Sequence, residues 1–304
     1  MTHEESYAYA VARIRANELS LLSATDIDQL LFAPDLVSAG GMLAAKGYAI
    51  DLGLDTALNE KLTEAWQLLT EILPRLEDDE APSEIGELDF LIVRNDFHNL
   101  KARLKSMMKG GGPEAYLMSP TVFNDREVGE LLQAGQFGAL PECMAVCARE
   151  AYELLAGAGG GQMADAVIDR QCLETILAIA DTSGSEFIRG LAKNICAFAN
   201  AKIAMRAEKT GKGQDFLKIA LCGCPPAELP EEARQSGAAF EKYCDDALIE
   251  YALPAKWVTF GIAPLAAYYL AKEAEVKNVR IVMTCKQNGV PADEIRKRVR
   301  RLYV

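Results

Sequence analysis

Asp96-Phe97-His98-Asn99-Leu100-Lys101, Ala197-Phe198-Ala199-Asn200-Ala201-Lys202 and Glu275-Val276-Lys277-Asn278-Val279-Arg280 superpose without a gap. In each stretch an Asn is followed two residues later by a cation, Lys101, Lys202 or Arg280. A Gly lies nine residues past each cation, at Gly110, Gly211 and Gly289. The apolar columns agree as well: Phe97, Phe198 and Val276; Leu100, Ala201 and Val279; Leu104, Met205 and Met283. So many matched columns in three places mark three copies of one unit, and a repeat decides architecture before any single element does.

The spacing inside the unit is helical. Phe97, Leu100 and Leu104 form one stripe by steps of three and four residues. Asn99 and Lys101 then flank Leu100 at the two borders of that stripe. An Asn there is placed to bond a backbone group, and a Lys to lay its methylenes along the core with its ammonium in water. The trailing Gly suits a left-handed helix cap. These roles are structural, and none of them requires a substrate.

Working outward, the same period covers nearly the whole chain. Leu58, Leu62, Ala65, Leu68, Leu69 and Ile72 make a stripe stopped by Pro74. Phe90 to Met107 makes another, stopped by Gly110-Gly111-Gly112-Pro113, and Ile168 to Ile179, Leu191 to Met205 and Phe240 to Tyr251 follow. Alternating β-type runs are nearly absent, so the fold class is all-α. A shorter segment trails each motif helix: Asp125–Leu132, Asp215–Leu221 and a terminal helix over Asp293–Tyr303 with Ile295, Val299 and Leu302 as its apolar face. The N-terminal region reads as a helix from Tyr7 to Leu22, a short helix over Ile27–Phe32 and a third toward Tyr48, without the Asn. The expected organisation is an N-terminal helical arm over 1–49 and three helical units over 50–157, 158–233 and 234–304. The Asn-to-Asn separations are unequal, so a regular solenoid is excluded. A funnel-like arrangement of three pseudo-symmetric small bundles fits better.

The 304 residues carry 32 Lys and Arg against 44 Asp and Glu, a formal charge of −12. Duplex nucleic acid is a poor partner for that balance, because phosphate affinity comes from clustered cations. The opening Met1-Thr2-His3-Glu4-Glu5 is acidic where a secretory signal needs base. The longest uncharged stretch, Trp257 to Ala271, is too short for a membrane span. Eight cysteines in such a chain read as reduced thiols. Two histidines, His3 and His98, leave little for His-based catalysis or a His-rich metal site.

No motif supplies a catalytic, cofactor or metal site. Gly157-Ala158-Gly159-Gly160-Gly161 has no Lys-Ser/Thr after it and reads as a linker, and Lys209-Thr210-Gly211-Lys212-Gly213 lacks phosphate-loop spacing. Cys222-Gly223-Cys224, with Cys244 as a further thiol, lacks the four-ligand spacing of structural zinc. Glu77-Asp78-Asp79-Glu80 and Glu231-Glu232 sit beside prolines and read as solvated turns. The C-terminal run from Asp293 opens with acid and closes with base, as a helix dipole favours. Its Arg296, Lys297, Arg300 and Arg301 are candidates for contact with an acidic partner.

The C-terminal residues carry a resemblance. Tyr268 to Arg280, then Lys286-Gln287-Asn288-Gly289-Val290-Pro291 and Glu294 to Tyr303, closely resemble the closing segment of the C-subunit family of V/A-type ATPases, whose eukaryotic counterpart is the d subunit of the vacuolar enzyme. The opening Tyr7, Ala12-Arg13-Ile14-Arg15, Glu18 and Leu21-Leu22 is similar to that family's start, and the Asn-x-Lys/Arg repeats resemble its internal threefold pattern. Ala197 departs from it, standing where the other two copies carry Asp96 and Glu275. The resemblance implies an all-helical funnel with no active site, one copy per rotor. Such a chain sits peripherally on the cytoplasmic face of the membrane and joins the central stalk to the proteolipid ring. There it transmits torque between ATP hydrolysis or synthesis and proton or sodium transport. The alternative from a different class is a helical-repeat scaffold for other cytosolic proteins, and a third is a thiol metal-binding enzyme.

Overall fold

A computed structural model describes residues 7–73, 85–110, 112, 117–157 and 160–304. Among them all regular structure is helical: α1 Ala8–Glu18, α2 Ala24–Phe32, α3 Leu36–Ala45, α4 Leu54–Ile72, α5 Val93–Lys109, α6 Asp125–Gln133, α7 Glu142–Ala156, α8 Gly161–Thr182, α9 Glu186–Lys209, α10 Gln214–Ala220, α11 Glu231–Arg234, α12 Gly237–Ala252, α13 Ala263–Gln287 and α14 Ala292–Arg298. The acidic run 77–80 and the residues His3, Pro74, Pro82, Gly111, Pro113, Ala158 and Gly159 lie outside the described residues.

The chain forms two compact units. One combines Met1–Glu80 with Leu229–Val304, and the other is Ala81–Glu228. In the first, α13 is the axis, and α1, α2, α3, α4, α12 and α14 all pack on it. Every residue from Pro264 to Val276 is buried, so this stretch has no solvent face and no amphipathic stripe. Further along, Val276, Val279, Val282 and Met283 meet Leu22, Ile27, Leu30, Leu43 and Leu58 in one core cluster. Trp66 of α4 packs edge-on against Tyr269, ring centroids 5.4 Å apart, a favoured aromatic geometry. In the second compact unit α5 packs on α6, α7 and α8, and α8 continues onto α9 and α10.

The motif helices are α5, α9 and α13. Phe97, Leu100 and Leu104 are buried on α5, as are Val276, Val279 and Met283 on α13. On α9 only Ala201 of the matching column is buried, and Phe198 and Met205 are half-buried. Gly110, Gly211 and Gly289 stand at φ +69°, +65° and +69° just past the ends of these helices, the left-handed conformation that ends a helix without a Cβ clash.

Two sequence expectations need correction. The first helix stops at Glu18 and not at Leu22. The Leu22 N–H donates at 2.6 Å to the Glu275 carboxylate, and Ser23 forms a capping box with Asp26 that starts α2. The terminal helix ends at Arg298, and residues 299–304 carry no regular structure. Helical spacing of Ile295, Val299 and Leu302 is overruled there because the main chain beyond Arg298 is taken by other partners. Lys242 donates to the Val299 carbonyl, and the Arg301 N–H donates at 2.6 Å to Asp246.

Candidate functional site

Each repeated Asn is buried, with Asn99 at 2% exposure and Asn200 and Asn278 at 0%. A buried amide must find both donors and acceptors, and all three find them in the same way. Asn99 Nδ2 donates to the Met118 carbonyl at 3.0 Å while its Oδ1 accepts the Met118 N–H at 2.7 Å. Asn200 donates to the Cys222 carbonyl at 3.3 Å and accepts the Cys222 N–H at 3.2 Å. Asn278 donates to the Arg300 carbonyl at 3.0 Å and accepts the Arg300 N–H at 2.7 Å. One side chain thereby holds both main-chain groups of one residue, which lies 19 positions ahead in the first copy and 22 in the other two. The three clamps tie each motif helix to the extended chain that follows it. Met118, Cys222 and Arg300 share no side-chain chemistry, because the clamp reads only backbone.

The residue three before each Asn adds to the grip where it is acidic. Asp96 accepts the Val122 and Phe123 N–H groups at 3.0 and 2.9 Å. Burial pushes its carboxyl up to about 6, against the pull of those two bonds, and nearby Asp89 adds repulsion. Glu275 turns toward the N-terminal helices. It accepts from Leu22 N–H at 2.6 Å, from Tyr48 Oη at 2.5 Å and from Lys272 Nζ at 2.8 Å. Lys272 and Glu275 form a buried ion pair, with side chains 8% and 3% exposed. Ala197 leaves the middle copy without this group, and its carbonyl instead accepts the Ala227 N–H at 2.9 Å.

The motif cations lie at the borders of the packed faces. Lys101 pairs with Asp169 at 2.6 Å and Arg280 with Asp55 at 2.8 Å; Lys202 is half-buried. The C-terminal cations also have partners within the chain. Arg296 pairs with Asp28 at 2.6 Å, Lys297 with Glu294 at 2.6 Å, Arg300 with Asp245 at 2.9 Å and Arg301 with Glu250. Arg300 is the one drawn inside, its side chain 10% exposed.

None of the eight cysteines, all of them among the described residues, is in a disulfide. Cys222 and Cys224 lie in the second compact unit and Cys244 in the first. Among the described residues no group of three or more His, Cys, Asp or Glu is placed to hold a metal ion. No described helix is long and apolar enough to cross a membrane. The spacing of the Asn column gave the clamps away as a repeat. What each clamp holds, and the reach of Glu275 to Leu22 and Tyr48, had no local signal. Leu22 and Tyr48 lie more than two hundred positions from Glu275.

Known proteins are similar to this chain along nearly its whole length. The C subunit of the V-type sodium ATPase of Enterococcus hirae is 23% identical over an alignment covering 95% of this chain and 97% of that protein. The C subunit of the A-type ATP synthase of Haloferax volcanii is 24% identical, covering 94% and 95%. Its counterpart from Halorubrum lacusprofundi is 24% identical over similar shares. The family described as ATP synthase (C/AC39) subunit matches residues 10–227 and 225–298, and so takes in all three clamped helices. With its repeated helices, and with a family match across nearly its full length, the chain belongs to the ATP synthase C/AC39 subunit family.

Proposed function

We propose that this chain is the rotor adaptor of a V/A-type rotary ATPase. In this reading it is a non-catalytic part, one copy per rotor, peripheral on the cytoplasmic face. It joins the central stalk to the membrane proteolipid ring and passes torque between ATP hydrolysis or synthesis and proton or sodium transport. The observation that carries the reading is the family match across both compact units, together with relatives named as C subunits that align almost end to end.

Physical chemistry supports it. Moving one charge against 100 mV costs about 2.3 kcal/mol, so a joint that yields under load dissipates what it should transmit. Stiffness in a helical body comes from packed helices and from main chain that is held, and each clamp holds main chain that would otherwise form a loose loop. We read the three clamps as one per unit, over 50–157, 158–233 and 234–304, with 1–49 as an arm fastened to the third through Glu275. Of the C-terminal cations, Arg296, Lys297 and Arg301 keep 51%, 70% and 49% side-chain exposure and are the contacts we assign to an acidic partner surface.

Co-purification tests the reading. Tagged chain expressed in its own cells should bring down stalk and proteolipid components in stoichiometric amounts. Recovery of other cytosolic proteins without either would favour a general helical scaffold.

A further inference from the structure

The three motif helices end on the same left-handed Gly but enter it through different residues. Lys109 precedes Gly110, Thr210 precedes Gly211 and Asn288 precedes Gly289. Of the chain's nine asparagines, Asn288 alone is followed by Gly. In that pair the next main-chain nitrogen can reach the side-chain amide with no Cβ in the way. Asn288 and Gly289 are both exposed. The clamp asparagines, Asn99, Asn200 and Asn278, are buried and precede Leu100, Ala201 and Val279.

The fold holds the two reacting groups apart. The Gly289 N–H donates to the Lys286 carbonyl at 3.0 Å and the Val290 N–H to the Cys285 carbonyl at 3.0 Å. These are the paired bonds of a Schellman cap. Asn288 turns its side chain back along the helix, Nδ2 donating to the Thr284 carbonyl at 2.7 Å. Its ψ of 10° directs the Gly289 nitrogen into the cap and away from the Asn288 amide carbon. Attack therefore needs the Gly289 bond broken, the Asn288 side chain released and that ψ turned. All three belong to one turn at the end of α13, and helix ends open more readily than helix centres.

We infer that Asn288 is a self-modification site, converted to an aspartyl or isoaspartyl residue at a rate set by the opening of this cap. The Gly289 nitrogen gives up its proton to solvent base and attacks Asn288 Cγ. A C–N bond forms, the Cγ–Nδ2 bond breaks, and Nδ2 leaves as ammonia. The five-membered imide then takes up one water and opens at either carbonyl. Nothing is oxidised or reduced, and water is the only co-reactant. Either product lacks the Nδ2 donor to Thr284 and carries a carboxylate at the negative end of a 25-residue helix. The isoaspartyl form also lengthens the main chain between α13 and α14 by one carbon. Neither product can rebuild the cap as it stood, so each conversion loosens the junction that leads to the C-terminal segment.

The test holds the full-length protein in mildly alkaline buffer, folded and in urea, and follows each Asn by mass spectrometry of digests. In urea Asn288 should convert ahead of every other Asn, and Gly289→Ala should remove that lead. In the folded protein Asn288 should still convert first, but roughly tenfold or more slowly than in urea. Asn288→Asp installs one of the two products and reads the consequence. Trypsin should cut it after Lys286 about two- to fivefold faster than the wild type. Equal rates folded and in urea, another Asn converting first, or unchanged cutting overturns the inference. If Asn288→Asp does not fold, the two wild-type rates decide alone: a slower folded rate supports the inference and equal rates overturn it.

Discussion

Asn278 holds Arg300 by the main chain, taking its N–H at 2.7 Å and giving a hydrogen to its carbonyl at 3.0 Å. The Arg300 side chain is meanwhile free to pair with Asp245 at 2.9 Å. Truncating the amide should therefore release the C-terminal segment without touching its charges. Asn278→Ala is expected to cost about 2 kcal/mol, since two main-chain groups lose their partners. Trypsin should then cut after Arg300 and Arg301 faster than in the wild type. Unchanged stability and unchanged cutting would show that the clamp does not hold the segment.

The Lys272–Glu275 pair gives a sharper energetic test because it is buried. Glu275→Ala leaves an unpaired ammonium inside and strips Leu22 and Tyr48 of their acceptor. The expected loss is about 3–5 kcal/mol. Lys272→Met with Glu275→Gln removes both charges and keeps an acceptor, and should recover most of it. Urea unfolding of the single and double variants measures the difference. A double variant as weak as Glu275→Ala would mean the charge itself is not the issue.

Backbone geometry predicts a smaller effect at Gly211. A Cβ there would meet no atom within 4 Å, and only the φ of +65° resists it. Gly211→Ala should cost about 1–2 kcal/mol, seen as a modest fall in Tm, and not the larger loss of a core clash.

The pH dependence follows from Asp96. Its folded carboxyl titrates at about 6 against an ordinary 3.8, so the folded state holds the proton more tightly than the unfolded one. The stability from protonation is complete below about 3.8 and is lost as pH rises through about 6. Raising pH from 5 to 7 should cost about 1 kcal/mol through this group. Asp96→Asn should flatten that part of the profile in denaturant titrations at the two values. An equal slope in both proteins would contradict the assignment.

The all-α class and the three motif helices were legible because period and column both repeat. The apolar stripes ending at Ile72 and Tyr251 fall on α4 and α12. The objects of the clamps were not legible, since a side chain that reads backbone leaves no pattern in Met118, Cys222 and Arg300. The terminal helix was drawn too long for a related reason. Ile295, Val299 and Leu302 keep helical spacing, but Lys242, Asp246 and Asn278 compete for the main chain beyond Arg298. The local pattern lost to partners distant in sequence. Ala197, read as a departure from the acidic column, marks the copy that adds a bond through its own carbonyl to the Asn200 clamp.

The central claim is that this chain connects chemistry in a soluble head to transport in a membrane ring. The direct measurement is ATP hydrolysis beside ATP-driven ion uptake in vesicles from cells with and without the chain. The adaptor account predicts that hydrolysis persists in a detached head while ion uptake is abolished, and that restoring the chain restores uptake. Ion uptake that survives its deletion would contradict the account.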